Sequence, residues 1–286
     1  MRDKGYDIST LGGLRDRYSR WGWENGGAIR TYILTSRSIK SASDHKGVAL
    51  TRYEATNPTV KKRIIKAYEG QVIHMIRPAI EHDLTYDRPL LLGAEVWVVD
   101  STPGGFAYMV VSRAAGRDSA TILEFGGEPR ALILGLRRAF DEWGIGEIRV
   151  PSPNIYTEWA PVLEGVSDWW SVQPCRQINI LNLEGCMRKL LPMVRGGGIL
   201  GGSSTHYSIT LHNSDTMQRC TILFDRRCTL IDGKGKDELS LDGCGLVRLL
   251  FGQSKPSNVL GIDGKMASYL DLIFPLPFYM WATDER

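Results

Sequence analysis

A mixed α/β (α+β) fold is predicted by three features of the sequence. Between residues 120 and 150 an alternating stretch, an amphipathic stretch and another alternating stretch follow one another, the order of layered α/β proteins rather than of sandwiches or bundles. Glycine and proline punctuate the chain where such elements would meet, at Gly12-Gly13, Gly126-Gly127, Pro129 and Gly144. Beyond residue 205, short alternating segments broken by Asp232-Gly233 and Asp242-Gly243 suit a small second sheet.

In chain order, residues 6–11 alternate and close in Gly12-Gly13, which predicts a strand. It lies so near the start that it needs a partner from elsewhere in the chain. A helix is expected over 14–23, broken by Asn25-Gly26-Gly27, then a strand over 29–36. Polar residues 40–58 read as a linker, and 59–69 as a short basic helix with Val60, Ile64, Ile65 and Tyr68 on one side. Segments 90–99 and 106–111 predict a hairpin across Pro103-Gly104-Gly105. A strand over 120–125 leads into a helix opened by Pro129, which suits a first turn, and stopped by Gly144. Short strands follow at 147–150 and 177–183, with an aromatic, partly helical stretch between them, and then a helix over 186–194. Five glycines between Gly196 and Ser204 predict a connector. Strands over 207–211, 220–224 and 228–231 and a helix from Leu246 complete the pattern.

Composition narrows the class of function. The 286 residues are 43% hydrophobic and 23% charged, which excludes a disordered or fibrous chain. A net charge of +3, from 35 Lys and Arg against 32 Asp and Glu, leaves no nucleic-acid footprint. No apolar run approaches the roughly 20 residues of a membrane span, and residues 1–5 lack the apolar segment of a signal peptide, so a cytoplasmic protein is expected. The five cysteines are scattered and form no C-x-x-C pair, and the five histidines are far apart; neither a disulfide framework nor a metal site is expected.

One motif carries chemistry. Tyr18-Ser-Arg-Trp-Gly22-Trp23 follows a strand ending in glycines, and the run continues into a second strand ending Thr35-Ser36-Arg37-Ser38. In this the chain resembles the GNAT superfamily of acyl-CoA-dependent N-acetyltransferases, and among them the enhanced-intracellular-survival type. That type joins a first acetyltransferase domain, a second degenerate one and a C-terminal domain similar to sterol carrier proteins. The resemblance implies a remnant of the first domain at 1–40, the degenerate domain at 41–184 and the sterol-carrier-like domain at 185–286. The last rests on Leu249-Leu-Phe-Gly252 and on the run from Leu272 to Trp281. It also implies an N-terminal truncation, because most of the first domain, with its coenzyme turn, precedes the point that matches Met1. In the second domain, Gly126-Gly127-Glu128-Pro129 stands where a working copy cradles pyrophosphate on backbone N–H groups. An acidic side chain and a residue without N–H suit scaffold rather than catalyst.

The activity implied is transfer of acetyl from acetyl-CoA, a cosubstrate, to a small-molecule or peptide amine, with no metal. By the resemblance Tyr18 is the acid that protonates the departing thiolate. The C-terminal carboxylate, here that of Arg286, is the base, with Asp284 or Glu285 as alternatives. Gly12, Gly13 and Leu14 would line the pantetheine arm, and Trp21 and Trp23 would wall the acceptor amine. The family also suggests a homo-oligomer. Two other classes stay open: a non-catalytic binding or assembly module lacking the coenzyme half, and a carrier of apolar ligands with a tunnel between the sheet at 205–231 and the helices after Leu246. The acceptor is not legible in the residues.

Overall fold

The computed structural model describes residues 4–42, 47–89, 93–102, 105–113, 116–155, 157–194, 206–225 and 228–285. The expected connector from Gly196 to Ser204 and the turn at Pro103-Gly104 lie outside them.

The chain opens with strand β1 (Ile8–Leu11), and the expected helix over 14–23 is reduced to α1 (Arg15–Tyr18) and a 3-10 turn, Ser19–Trp21. Its stop is Gly22, which takes a left-handed conformation at φ +79°, so the strand that follows starts earlier than expected, as β2 (Glu24–Thr35). Gly26 therefore breaks nothing. It sits inside β2, where a Cβ would come within 2.7 Å of Ile178 and 3.1 Å of Phe251, and glycine allows that close approach. The expected linker holds β3 (Val48–Arg52), whose Leu50 alone is buried. A five-residue strand with one inward side chain has too little alternation to stand out from a polar loop. Helix α2 (Pro58–Glu69) begins as expected, capped by Asn57, whose side chain accepts the N–H of Val60. A short helix α3 (Ala79–His82) precedes the hairpin β4 (Glu95–Ser101) and β5 (Gly105–Arg113), and then comes β6 (Ser119–Gly127). Helix α4 (Pro129–Trp143) starts at its proline and ends at Gly144, φ +60°. After β7 (Glu147–Pro153) and α5 (Trp159–Glu164), strand β8 begins eight residues before expectation (Trp169–Ile180). Helix α6 (Leu183–Leu190) and a 3-10 turn, Leu191–Met193, replace the single helix over 186–194. Strands β9 (Tyr207–Asn213), β10 (Arg219–Phe224) and β11 (Cys228–Ile231) are where the alternation placed them. Strand β12 (Asp237–Leu241) was not expected, and Asp242 is not a hairpin turn but the cap of α7 (Gly243–Phe251), accepting the N–H of Gly245. Helices α8 (Pro256–Leu260) and α9 (Gly264–Ile273) follow, and a 3-10 turn, Ala282–Asp284, is the last described element.

The chain forms two compact units, one made of residues 1–28 and 174–278, the other of 29–173 and 279–286. In the second, the strands run β2-β7-β6-β5-β4-β3, antiparallel except for β6 beside β7. Ala107–Val111 of β5 are buried without a break. Successive residues of a strand face opposite sides, so this requires a layer on each face of the sheet. Both α2 and α4 touch β5. The β6–β7 ladder spans only Ser119↔Glu147 to Thr121↔Arg149. Pro151 and Pro153, farther along β7, have no N–H to extend it.

In the first unit β1 finds the partner it needed: it pairs antiparallel with the end of β8, from Ile8↔Ile180 to Leu11↔Gln177. A four-stranded sheet, β11-β10-β9-β12, is antiparallel except for β12 against β9. Its inward residues Ile209, Leu211, Ile222 and Phe224 share one buried core with Leu246, Leu249, Leu250 and Leu270. The sheet and the helices after Leu246, between which a carrier of apolar ligands would need a tunnel, meet through this buried core.

Candidate functional site

The residues singled out by the sequence gather around α1. Tyr18 is half-buried at its end. Its ring lies over Gly13, where a Cβ would stand 3.2 Å from Cε2, and Gly13 has φ +127°, so glycine is required there twice over. The Trp21 ring centroid is 6.3 Å from that of Tyr18, and Trp21 is 56% exposed beneath the Arg20 guanidinium, 4.0 Å above its ring. Gly12 and Leu14 are exposed, and the Gly13 carbonyl accepts the side-chain amide of Gln177. Trp23 is half-buried, with its carbonyl 3.6 Å from the Cys244 thiol. Tyr18, Gly13 and Trp21 are thus one local cluster. Trp21 also borders a recess of about 430 Å³ that includes Asp215, Asp242 and Cys244. Arg286 lies outside the described residues.

Beside the cluster is a buried carboxylate that the sequence reading did not single out. Glu24, at the start of β2, is 3% exposed and accepts from Nε and Nη2 of Arg15, from Nε and Nη2 of Arg248 and from the N–H of Asn25, at 2.5 to 2.9 Å. Burial pushes its carboxyl up, but the Arg15 fork, the Asn25 amide and Arg248 outweigh that and hold it at about 2. One anion here serves two guanidinium groups.

In the other unit a cavity of about 730 Å³ lies where the second coenzyme loop was expected, at the junction of β6 and α4. Arg63, Lys66, Gln71, Glu128, Pro153 and Trp159 are among the residues that line it. The junction is poorly made for a phosphate. Gly127 turns at φ +106°, the N–H of Glu128 is spent on the Phe106 carbonyl at 2.8 Å, and Pro129 has none to offer. The side chain of Glu128 lies against Gly105, where a Cβ would meet its Cγ at 2.8 Å, and Glu128, at the N-cap of α4, makes no side-chain capping hydrogen bond.

The same unit holds the C-terminal segment. Arg77 and Glu124, with side chains 1% and 0% exposed, are joined at 2.5 Å. Glu124 also accepts from the hydroxyls of Tyr86 at 2.8 Å and Tyr108 at 2.7 Å, and from Thr283. Arg77 Nε donates to Asp284 at 2.7 Å, its Nη2 donates to Thr283 at 2.8 Å, and its guanidinium lies 3.8 Å above the Tyr68 ring. Trp281 packs edge-on against Phe125 at 5.1 Å. Burial works against the charge of Arg77, and Glu124 more than offsets it, so the guanidinium is held above its ordinary range. Burial also pushes the Asp284 carboxyl up, and Arg77 pulls it back only in part. Asp284, one of the alternative bases, is thus 4% exposed and paired.

This arrangement of strands and helices has counterparts among solved structures. A probable N-acyltransferase from Enterococcus faecalis V583 superposes on 96% of this chain and 71% of its own, with a TM-score of 0.69 and 14% identity. A GCN5-related N-acetyltransferase from Kribbella flavida covers 98% of this chain and 72% of its own, with a TM-score of 0.67 and 16% identity. The fold is that of the GCN5-related N-acetyltransferases. Eis1 from Mycobacterium abscessus shares it over 97% of this chain and 74% of its own, at a TM-score of 0.61 and 13% identity. No protein-family model and no curated protein sequence matches the chain. Among the described residues no helix is long and apolar enough to cross a membrane, and no group of three or more His, Cys, Asp or Glu side chains is placed to hold a metal.

Proposed function

We propose that this protein transfers an acetyl group from acetyl-CoA to an amine, by direct attack within one ternary complex. The observation that carries the reading is the likeness in fold to N-acyltransferases over at least 96% of the chain, joined to the Tyr18 cluster at the end of β1. The amine nitrogen attacks the thioester carbonyl, a C–N bond forms, and the C–S bond breaks as the tetrahedral oxyanion collapses. The products are an amide and CoA thiol. The carboxylate of Arg286 takes one proton from the ammonium, which frees the lone pair that attacks; Tyr18 gives its proton to the departing sulfur and is restored by the second proton that nitrogen sheds as the intermediate collapses. Gly12, Gly13 and Leu14 accommodate the pantetheine arm, because two glycines let the backbone approach it closely. Trp21 and Trp23 form the wall for the acceptor, and Trp21 offers the exposed face that such a wall needs. Residues 1–40, 41–184 and 185–286 are read as the first-domain remnant, the degenerate domain and the sterol-carrier-like domain.

Calorimetry with acetyl-CoA on the chain as it stands tests the reading, and heat of binding is expected. Tyr18→Phe is expected to keep that binding and lower kcat by about 10²-fold or more, the scale of general-acid catalysis. Unchanged kcat would remove Tyr18 from the chemistry. Absence of any acetyl-CoA binding would favour the non-catalytic assembly module, a reading supported by the β6–α4 junction, where the N–H of Glu128 is bonded to Phe106 and Pro129 has none.

A further inference from the structure

The cavity at the junction of β6 and α4 lies within the unit made of residues 29–173 and 279–286, and the acetyl-transfer reading makes no use of it. Part of its lining is one face of α2 and its cap: Arg63, Lys66, Ala67 and Gly70 follow the i, i+3, i+4 and i+7 spacing of a helix. Arg63 is already committed, because its Nη2 donates to Asp100 at 2.6 Å and its guanidinium lies 4.0 Å above the Phe106 ring. Lys66 is not: among the described residues its ammonium has no ion pair or hydrogen bond. The same holds for two carboxylates of the lining, those of Glu128 before α4 and Glu158 before α5. Thr157, also in the lining, keeps its Oγ1 buried with no partner. A buried hydroxyl without a hydrogen bond is unfavourable, and a ligand that bonds to it relieves this. The apolar part of the lining includes Ile73, Pro153 and Trp159, the last 6% exposed and packed edge-on against Phe125 at 5.0 Å.

These groups select a ligand by elimination. A phosphate or other polyanion would meet two carboxylates, at a junction where the N–H of Glu128 is spent. A polycation would meet Lys66. A wholly apolar ligand would strip water from three charges and a hydroxyl and pair none of them. A zwitterion matches all of them, with an ammonium for the carboxylates, a carboxylate for Lys66 and a main-chain amide for Thr157. At about 730 Å³ the cavity falls in the upper half of the range of small-molecule pockets, roughly 300–1,000 Å³, which suits a ligand larger than one amino acid. We propose that this cavity binds a short peptide, of roughly two or three residues, with a free ammonium end, a free carboxylate end and an apolar side chain. Glu128 and Glu158 receive the ammonium, Lys66 the carboxylate and Thr157 a backbone amide, while Trp159 packs against the side chain. Binding here is separate from acetyl transfer and does not depend on it.

Calorimetry on the full chain, without acetyl-CoA, tests this with the dipeptide Leu-Phe and the tripeptide Leu-Gly-Phe. Each is expected to bind with a Kd below about 1 mM. Acetyl-Leu-Phe, which lacks the ammonium, and Leu-Phe amide, which lacks the carboxylate, are expected to bind about fivefold more weakly, the upper end for a part-exposed ion pair. Variants of three exposed side chains, which leave the fold intact, assign the two ends. Lys66→Met is expected to weaken Leu-Phe about fivefold and to leave Leu-Phe amide unchanged. Glu128→Gln and Glu158→Gln are expected to weaken Leu-Phe and to leave acetyl-Leu-Phe unchanged. No heat from either peptide at about 5 mM overturns the proposal. So does equal affinity for the blocked and free peptides, or affinity for phenylalanine alone that equals that for Leu-Phe. Binding of Leu-Phe that none of the three variants weakens puts the peptide elsewhere and overturns the site.

Discussion

The two buried acidic clusters are built with opposite stoichiometry. Around Glu24 one carboxylate meets two arginines, each more than 40% exposed and free to draw on solvent. Around Arg77 one arginine meets two carboxylates, and all three side chains are at most 4% exposed. The first is a surface feature anchored from below, whereas the second is a sealed network whose members have no recourse to water. A charge whose partner is lost at the surface can be rehydrated, while one in a sealed network cannot. The clusters therefore differ in what they do for the molecule: Glu24 braces Arg15 and can lose one of its two arginines, whereas Arg77 ties Thr283 and Asp284 to Glu124.

The largest effect expected from this contrast is that of Arg77→Met. It leaves Glu124 and Asp284 buried without a cation, and breaking a buried pair by removing one partner costs about 3–5 kcal/mol. The urea midpoint of the unit made of residues 29–173 and 279–286 should fall accordingly, monitored by intrinsic tryptophan fluorescence. A loss below about 1 kcal/mol would mean that water reaches the network and that the contrast is false.

A second effect separates the clusters by pH. The Glu24 carboxyl is held at about 2, below its ordinary value near 4.3, so its contribution to stability is complete above the ordinary value and is lost as pH falls toward 2. The Asp284 carboxyl is shifted the other way, by burial and by Glu124 against the pull of Arg77 and Tyr68. Its contribution is complete below the ordinary carboxyl range and is lost as pH rises through its raised value. Amide exchange followed from pH 7 to pH 4 should show the tail at Thr283 and Asp284 growing more protected while Asn25 is unaffected. In the same scheme Glu24→Gln should cost about 1.5–3 kcal/mol, the range for hydrogen bonds to a charged group, and should remove the acid limb below pH 4. Parallel acid responses at both places would break the comparison.

How much of this was legible in the sequence depends on the range of the signal. Helix α2 was readable from its apolar side, Val60, Ile64, Ile65 and Tyr68, and α4 also because Pro129 and Gly144 mark its ends. The start of β2 was not, because glycine has two uses: Gly26 admits Ile178 and Phe251, residues that lie more than 150 and 220 positions away. The Tyr18 cluster was readable in its parts, since Gly13, Tyr18 and Trp21 are local. The acidic clusters were not, since Glu24 with Arg248 and Arg77 with Asp284 are long-range pairs. One trace of the second was present. Glu124 stands at an inward position of an apolar strand, in step with Ala120 and Ile122, and a charge at such a position calls for a buried partner. Periodicity can announce that such a partner exists, but only the fold reveals that it is Arg77.

The smallest effect is the most pointed test of the stoichiometry. Arg248→Met takes one of the two guanidinium groups from Glu24 and leaves Arg15 in its bidentate contact and Asn25 donating its N–H. Because Arg248 is 41% exposed, what it supplies is screened, and its loss should cost no more than about 1 kcal/mol. The Glu24 carboxyl should rise from about 2 but stay below its ordinary value, because Arg15 and the Asn25 amide still favour the anion. Carboxyl NMR titration of Glu24 in the variant measures this directly. If instead the variant loses as much stability as Arg77→Met, Glu24 depends on both cations together, and the redundancy that distinguishes its cluster from the sealed one is absent.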